Sequence, residues 1–167
     1  MSLFGPIFAA LNAAGARYVV VGGVAVVLHG FARITGDVDL IVDLHDGPAQ
    51  KTIAALVGMG FCARAPVDAM LFADPVVRAS WVRDKGLRVF SLWDPARPMC
   101  EVDLFVESPI EFEGLHERSA WIDIGDAQVR VAAIEDLIAL KRLANRPQDQ
   151  IDIAELEVIA SRRKPSV

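Results

Sequence analysis

The stretch Gly36-Asp37-Val38-Asp39-Leu40-Ile41-Val42-Asp43 limits what this chain can fold into more than any other. Its β-branched content reads as a strand. Strand side chains alternate between faces, so Val38, Leu40 and Val42 point one way and Asp37 and Asp39 the other. The apolar set asks for a covered sheet face. The two carboxylates repel each other unless a cation offsets them. Fixed, paired carboxylates are ligands for Mg²⁺, which usually arrives with phosphates. A hydrated strand end is the competing reading, and the scarcity of Asp in strands counts against it.

With 167 residues, the chain is expected to form one compact domain. A hydrophobic fraction of 53% is enough for a core and excludes a disordered chain. A net charge of −5 argues against broad adhesion to nucleic acid but leaves room for a local basic patch. Cys62 and Cys100 are too few for a disulfide scaffold and read as reduced, mostly buried thiols. The start of the chain lacks a basic segment and a cleavage pattern, and the apolar run Tyr18–Leu28 is short of the ~20 residues that span a bilayer. Those observations predict a cytoplasmic protein without a membrane segment.

The expected elements run as follows. Leu3–Ala14 is a helix closed by Gly15, and Tyr18–Val21 a buried strand. Gly22-Gly23 breaks that strand, and Val24–His29 is a short helix stopped by Gly30. Phe31–Gly36 is a polar loop, followed by the Asp37–Leu44 strand and an Ala49–Gly58 helix opened by Asp46-Gly47-Pro48. From Phe61 to Asp94 the pattern is weak and is punctuated by Pro66, Pro75 and Gly86, with a strand over Leu87–Trp93. Cys100–Val106 alternates, with Glu101, Asp103 and Phe105 on one face. Trp121–Ile124 and Gln128–Val131 form a hairpin through Gly125-Asp126. Ile134–Ala144 and Gln148–Ala160 are helices, and the basic tail from Ser161 to Pro165 is expected to fray. Mixed strands and helices without strict alternation predict an α+β (mixed α/β) fold, a central mixed sheet flanked by helices. The division expected is a core over residues 1–133 and a short C-terminal helical segment over 134–167, packed on it.

Three pieces carry candidate chemistry. Gly22 and Gly23 sit between a strand and a helix, where backbone can approach a ligand and helix N–H groups face an anion. Neither a Gly-x-Gly-x-x-Gly nor a Walker pattern is present. Asp37 and Asp39 are the second piece. Asp103, with Glu101 on the same face, is the third. If their strands are neighbours, these carboxylates converge into a ligand set for two Mg²⁺ ions. One metal would activate an attacking hydroxyl, and the other would hold a triphosphate.

The string Gly22-Gly23-x-Ala25-x-x-x-His29-Gly30-x-x-Arg33-x-Thr35-x-Asp37-x-Asp39-Leu40 resembles the signature of the DNA polymerase β-type nucleotidyltransferase superfamily. It is similar in particular to the small bacterial branch that includes AbiEii-type toxin nucleotidyltransferases. Asp103 in Glu101-Val102-Asp103-Leu104 stands where that pattern has its third carboxylate. The stretch from Ile134 to Lys141, with Asn145-Arg146-Pro147-Gln148-Asp149-x-x-Asp152, resembles the branch's helical segment. One departure is Gly23, where many members of the superfamily have a serine whose hydroxyl contacts phosphate.

The resemblance implies a nucleotidyltransferase that moves an NMP from an NTP to a hydroxyl acceptor, with Mg²⁺ or Mn²⁺. It implies Asp37, Asp39 and Asp103 as catalytic and metal-binding residues, and Gly22, Gly23, Arg33, Thr35 and Lys141 as nucleotide contacts. For Lys141 the residues alone leave a solvent-facing lysine open. The acceptor is left open among tRNA, a protein and an antibiotic-like small molecule, and a toxin–antitoxin role is implied. An antitoxin or a second copy of the chain is a candidate source of further acceptor surface. A non-catalytic nucleotide-binding or regulatory module on the same fold is the alternative.

Other residues carry weaker expectations. His29 reads as a satisfied structural histidine. Asp149 and Asp152 read as helix N-terminal charges, with Asp149 also within reach of Lys141 or Arg146. Asp43 and Glu101 read as secondary, solvated carboxylates. Arg78, Arg83, Lys85, Arg88 and Arg97, with Trp81 and Trp93, read as a solvated basic face or an RNA-contacting surface.

Overall fold

The computed structural model describes residues 3–163. The first helix is α1 (Gly5–Ala13), after which Gly15 adopts a left-handed φ of 63°. Strand β1 (Tyr18–Val21) is wholly buried and runs directly into α2 (Gly22–His29). Three valines in α2 are poor helix formers, so burial of Val24, Ala25 and Val26 holds this helix, and Gly30 at φ 117° ends it. After the loop come β2 (Asp37–Val42) and α3 (Asp46–Gly58).

The weakly patterned stretch contains regular elements. It contains β3 (Cys62–Ala63), a 3₁₀ turn at Ala69–Ala73 and α4 (Pro75–Lys85). Pro75 and Gly86, which punctuate the sequence, are the start and the stop of that helix. Asp74 caps it by accepting from the N–H groups of Val76 and Val77, and Gly86 closes it at φ 62°. Next are β4 (Val89–Asp94), β5 (Arg97–Phe105), α5 (Phe112–Arg118), β6 (Ala120–Asp123) and β7 (Gln128–Val131). The turn expected over Asp94–Pro98 is therefore shorter, because β5 starts at Arg97. Two helices finish the described chain, α6 (Ile134–Ala144) and α7 (Pro147–Arg163). The tail expected to fray is helical as far as Arg163, whose guanidinium donates to the carbonyl of His29 at 3.0 Å. Lys164 and Pro165 lie outside the described residues.

Seven strands form one mixed sheet in the order β3-β4-β5-β2-β1-β7-β6. β1 pairs antiparallel with β2 and parallel with β7, and β2 pairs parallel with β5. One face of the sheet carries Val38, Leu40, Phe90, Leu92, Val102 and Leu104, all buried. Trp81 of α4 stacks on Phe90 with centroids 4.9 Å apart, so α4 covers that face. α6 and α7 lie over the opposite face, where their residues share a cavity wall with Val89 and Phe105. α6 also packs on α7 and on α2. This mixed α/β architecture is the one the sequence predicts.

Burial corrects several expectations. Arg78 and Trp81 are inside the core, Arg78 donating to the carbonyls of Phe72 and Leu44, so the basic stretch does not form a continuous RNA-facing surface. Asp43 is buried rather than solvated, and accepts from Arg17 and from the backbone of His45. Cys100 is buried, whereas Cys62 is exposed. Among the described residues, no helix is long and apolar enough to cross a membrane.

Candidate active site

The parallel pairing of β2 with β5 places Asp37 opposite Glu101 and Asp39 opposite Asp103. Alternation puts all four carboxylates on the sheet face that α4 does not cover. On the far side of β5, Ser91 stands opposite Asp103 and Trp93 opposite Glu101.

These carboxylates have different partners. Glu101 accepts from Arg64 Nη2 at 2.9 Å, and that guanidinium lies over the Trp93 ring, 4.8 Å from its centroid. Asp103 accepts from the Ser91 hydroxyl, yet burial, with help from the charges of Glu101 and Asp37, raises its pKa. Its other oxygen, Oδ1, is buried without a hydrogen-bond partner. Asp39 is pushed up to about 6, first by burial and then by the charge of Asp103, against a hydrogen bond from the Gly23 N–H. Negative charge is therefore concentrated here and incompletely offset. Among the described residues, no three His, Cys, Asp or Glu side chains stand together as a ready-made metal cage.

The glycine turn touches the carboxylates directly. A Cβ on Gly22 would stand 1.9 Å from Asp39 Oδ2, and the residue has φ 63°, so only glycine fits. A Cβ on Gly23 would stand 2.5 Å from Thr35 Oγ1 and 3.2 Å from Arg33 Nη2. A serine at position 23 would thus collide with Thr35, and Thr35 supplies the hydroxyl beside this turn. The first N–H groups of α2 lie at the same turn, the one on Gly23 already donating to Asp39.

Lys141 is not solvent-facing. It is buried, and its Nζ donates to Asp152 Oδ2 at 2.6 Å and to Asp149 Oδ1 at 3.2 Å. Arg33 Nη1 donates to the same Asp152 oxygen at 2.6 Å. Asp149 and Asp152 are themselves buried, which raises both pKa values, yet both carboxyls are held below the usual range, Asp149 by hydrogen bonds from Arg146 and Lys141 and Asp152 by hydrogen bonds from Lys141 and Gln148 with the charge of Arg33. His29 is structural as expected: its Nε2 lies 2.8 Å from the Ala132 carbonyl, and burial lowers its pKa.

Sequence reasoning gave Arg146 a pairing with Asp149, which the structure contains, but no contact with the candidate site. Its Nε donates to Asp149 Oδ2 at 2.9 Å, its side chain is 71% exposed, and its charge acts on Asp39. The signal available was a guanidinium placed just before Pro147, at the mouth of a helix that starts with an aspartate. Arg146 lines a cavity of about 530 Å³ together with Gly22, Lys141, Arg88, Phe105 and Leu137. That cavity reaches the glycine turn at Gly22, is apolar toward α6, carries Asp149 beside the three cations, and falls within the size range of ligand sites.

Residues 7–157 match the family model described as "Nucleotidyl transferase AbiEii toxin, Type IV TA system". Three solved structures share the fold, each at 16% identity. One is the lincosamide antibiotic adenylyltransferase LnuA with lincomycin bound, with a TM-score of 0.61 over 92% of this chain and 93% of that one. The second is an antigenic nucleotidyltransferase-like protein from Paracoccidioides brasiliensis, with a TM-score of 0.61 over 92% of this chain and 73% of that one. The third is ANT(2")-Ia in complex with adenylyl-2"-tobramycin, with a TM-score of 0.53 over 95% and 93%. A search of curated protein sequences finds no match.

Proposed function

We propose, for a chain that belongs to the AbiEii nucleotidyl transferase toxin family, that it transfers an NMP from an NTP to a hydroxyl acceptor with the help of Mg²⁺. The observation that carries this reading is the register pairing of Asp39 with Asp103, next to a glycine turn that only glycine can form. The unpartnered Oδ1 of Asp103 and the raised pKa of Asp39 fit a site built for a hard divalent cation. Asp37, Asp39 and Asp103 would hold it. When bound, such an ion neutralises phosphate charge and favours an ionised attacking oxygen.

The chain's own residues do the rest. The N–H groups at the start of α2, reached through Gly22 and Gly23, receive phosphate oxygens. Arg33 and Thr35, set against Gly23, add a guanidinium and a hydroxyl to that cradle. The cavity between β5 and α6 receives the nucleoside. Asp103, held through one oxygen by Ser91, presents the other both to the ion's position and to the acceptor hydroxyl, whose proton it takes. The acceptor oxygen then bonds to the α-phosphorus as the bond to the β-phosphate bridging oxygen breaks, and pyrophosphate leaves.

The acceptor reading that follows the family description is a macromolecule, tRNA or protein, in a toxin–antitoxin setting. A small-molecule acceptor of the antibiotic type is the rival arm. Incubation with α-labelled NTPs, Mg²⁺ and either total tRNA, cell protein or an aminoglycoside and lincosamide panel separates them. Label is expected in one pool with wild type and in none with Asp39→Asn. Equal labelling by the two proteins overturns the assignment. Tight NTP binding with no transfer to any pool favours the non-catalytic module.

A further inference from the structure

The buried charge cluster beneath the glycine turn assigns roles that differ from a simple lysine–phosphate contact. It contains Lys141 from α6, Asp149 and Asp152 from the first turns of α7, Arg33 from the loop before β2, and Arg146 from the α6–α7 connection. The two carboxylates are 1% and 0% exposed as residues, and Lys141 is 4% exposed. Lys141 Nζ bridges them, at 3.2 Å to Asp149 and 2.6 Å to Asp152. Each carboxylate also grips one arginine, Asp152 holding Arg33 and Asp149 holding Arg146. Gln148 Nε2 and the Arg146 backbone N–H complete the set of donors.

Three cations face two anions, so the cluster carries one surplus positive charge. The lysine is not placed to deliver it. Its ammonium is enclosed, and two of its three donors are committed to carboxylates. Pulling it toward a phosphate would strand two buried anions, which costs several kcal/mol. The arginines are placed differently. Arg33 Nη2 approaches Gly23, and Arg146 is mostly exposed on the cavity wall that includes Gly22. A guanidinium pinned on one side by a carboxylate still presents its remaining N–H donors as a fork, the geometry that suits phosphate oxygens.

We infer that Arg146 and Arg33 form a two-guanidinium clamp on the polyphosphate tail, and that Lys141 is a positioning residue acting through Asp149 and Asp152. This rests on the nucleotidyl transfer reading for its ligand, a nucleoside triphosphate, but it is tested with inorganic tripolyphosphate. Lys141 sets where the carboxylates sit, and the carboxylates set where the arginines point. The clamp also ties α6 and α7 to the turn that Gly22 and Gly23 form.

Calorimetric titration with tripolyphosphate is the test, run on wild type, Arg146→Gln, Lys141→Gln and the double variant, each well below its melting temperature. Arg146→Gln should lower the melting temperature only modestly, because Lys141 and the Arg146 backbone N–H still serve Asp149, and should lose roughly 10- to 100-fold in affinity, the range for a charge-assisted hydrogen-bonded contact. The same factor should appear in KM for the NTP. Lys141→Gln should lose affinity too, but adding it to Arg146→Gln should cost less than the product of the single effects, because part of its effect runs through Asp149 to that arginine and only the part through Asp152 and Arg33 remains. Multiplicative losses would show that Lys141 touches phosphate itself and overturn its positioning role. Unchanged affinity in Arg146→Gln overturns the clamp, and this variant carries the test if Lys141→Gln does not fold. Wild type that transfers NMP while Arg146→Gln matches it sinks only the clamp. Wild type that neither binds tripolyphosphate nor transfers sinks the underlying reading with it.

Discussion

Replacing Asp39 by asparagine should make the metal-free protein more stable while removing a carboxylate the proposed reaction needs. In the folded chain Asp39 titrates near 6 instead of 3.8, mainly because it is buried and faces Asp103. That gap, at about 1.4 kcal/mol per pH unit, sets a ceiling of about 3 kcal/mol on the cost of holding the charge at neutral pH. Asp39 is partly reached by solvent, which screens its neighbours, so we expect about 1–2 kcal/mol. Asparagine keeps an oxygen to accept from the Gly23 N–H and drops the charge. For a domain of this size the gain corresponds to a rise of about 3–6 °C in melting temperature. The sign with pH follows from proton counting. Between about 3.8 and 6 the folded wild type holds more protons than the unfolded chain, so it loses stability as pH rises through that window. The variant does not have this loss. Its advantage should be near zero at pH 4 and complete above pH 7. Thermal melts in EDTA at both ends of the range measure it, and Mg²⁺ should then stabilise wild type selectively. An asparagine variant no more stable than wild type at pH 7.5, or a difference independent of pH, would refute the charge argument.

Three further outcomes follow from particular contacts. Gly22→Ala should lower stability by about 1–2 kcal/mol from backbone conformation alone, displace Asp39 from 1.9 Å of the new methyl, and abolish the nucleotide-dependent thermal shift. Burial keeps the folded-state pKa of His29 below 6.5, so the unfolded chain binds a proton first and stability should fall as pH drops below that value. His29→Gln should shrink the difference between urea midpoints at pH 7.5 and pH 5.5. Trp81→Ala removes an aromatic stacked on Phe90 in the core and should cost about 3–5 kcal/mol, read as a lower urea midpoint.

Elements with a strong period or a clear stop were legible in the sequence. β1, β2, β5, the β6–β7 hairpin and α6 appear close to where the residue pattern places them. α4 was not, because its buried surface comes from Arg78 and Trp81, an amphipathic pair that reads as surface, and its ends are marked by the same Pro75 and Gly86 that mark loops. α5 is too short to show a period. For the candidate site, the Asp37-x-Asp39 pair and Asp103 could be named from spacing, but their adjacency could not. It depends on β2 choosing β5 as a parallel neighbour, a long-range pairing that local sequence does not encode. The burial of Lys141 was not legible from its chemistry. A lysine is expected at the surface, and only the later placement of Asp149 and Asp152 makes burial affordable. Arg146 could be paired with Asp149 from the sequence but not placed beside the site, because Gly22 and Asp39 are far from it in the chain.

The parallel β2–β5 contact also bears on when this chain acquires any chemistry. Asp39 reaches its partner only after the chain has run on through α3, β3, α4 and β4 and β5 has docked directly beside β2 at the centre of the sheet. Long-range parallel pairing forms slowly, since a large loop must close before the contact rewards it. During synthesis, a growing chain that ends before Asp103 has the glycine turn and the first two carboxylates but not the third. On the proposed reading, the three carboxylates come together only when β5 docks against β2, so the candidate site and the centre of the sheet are completed in one step.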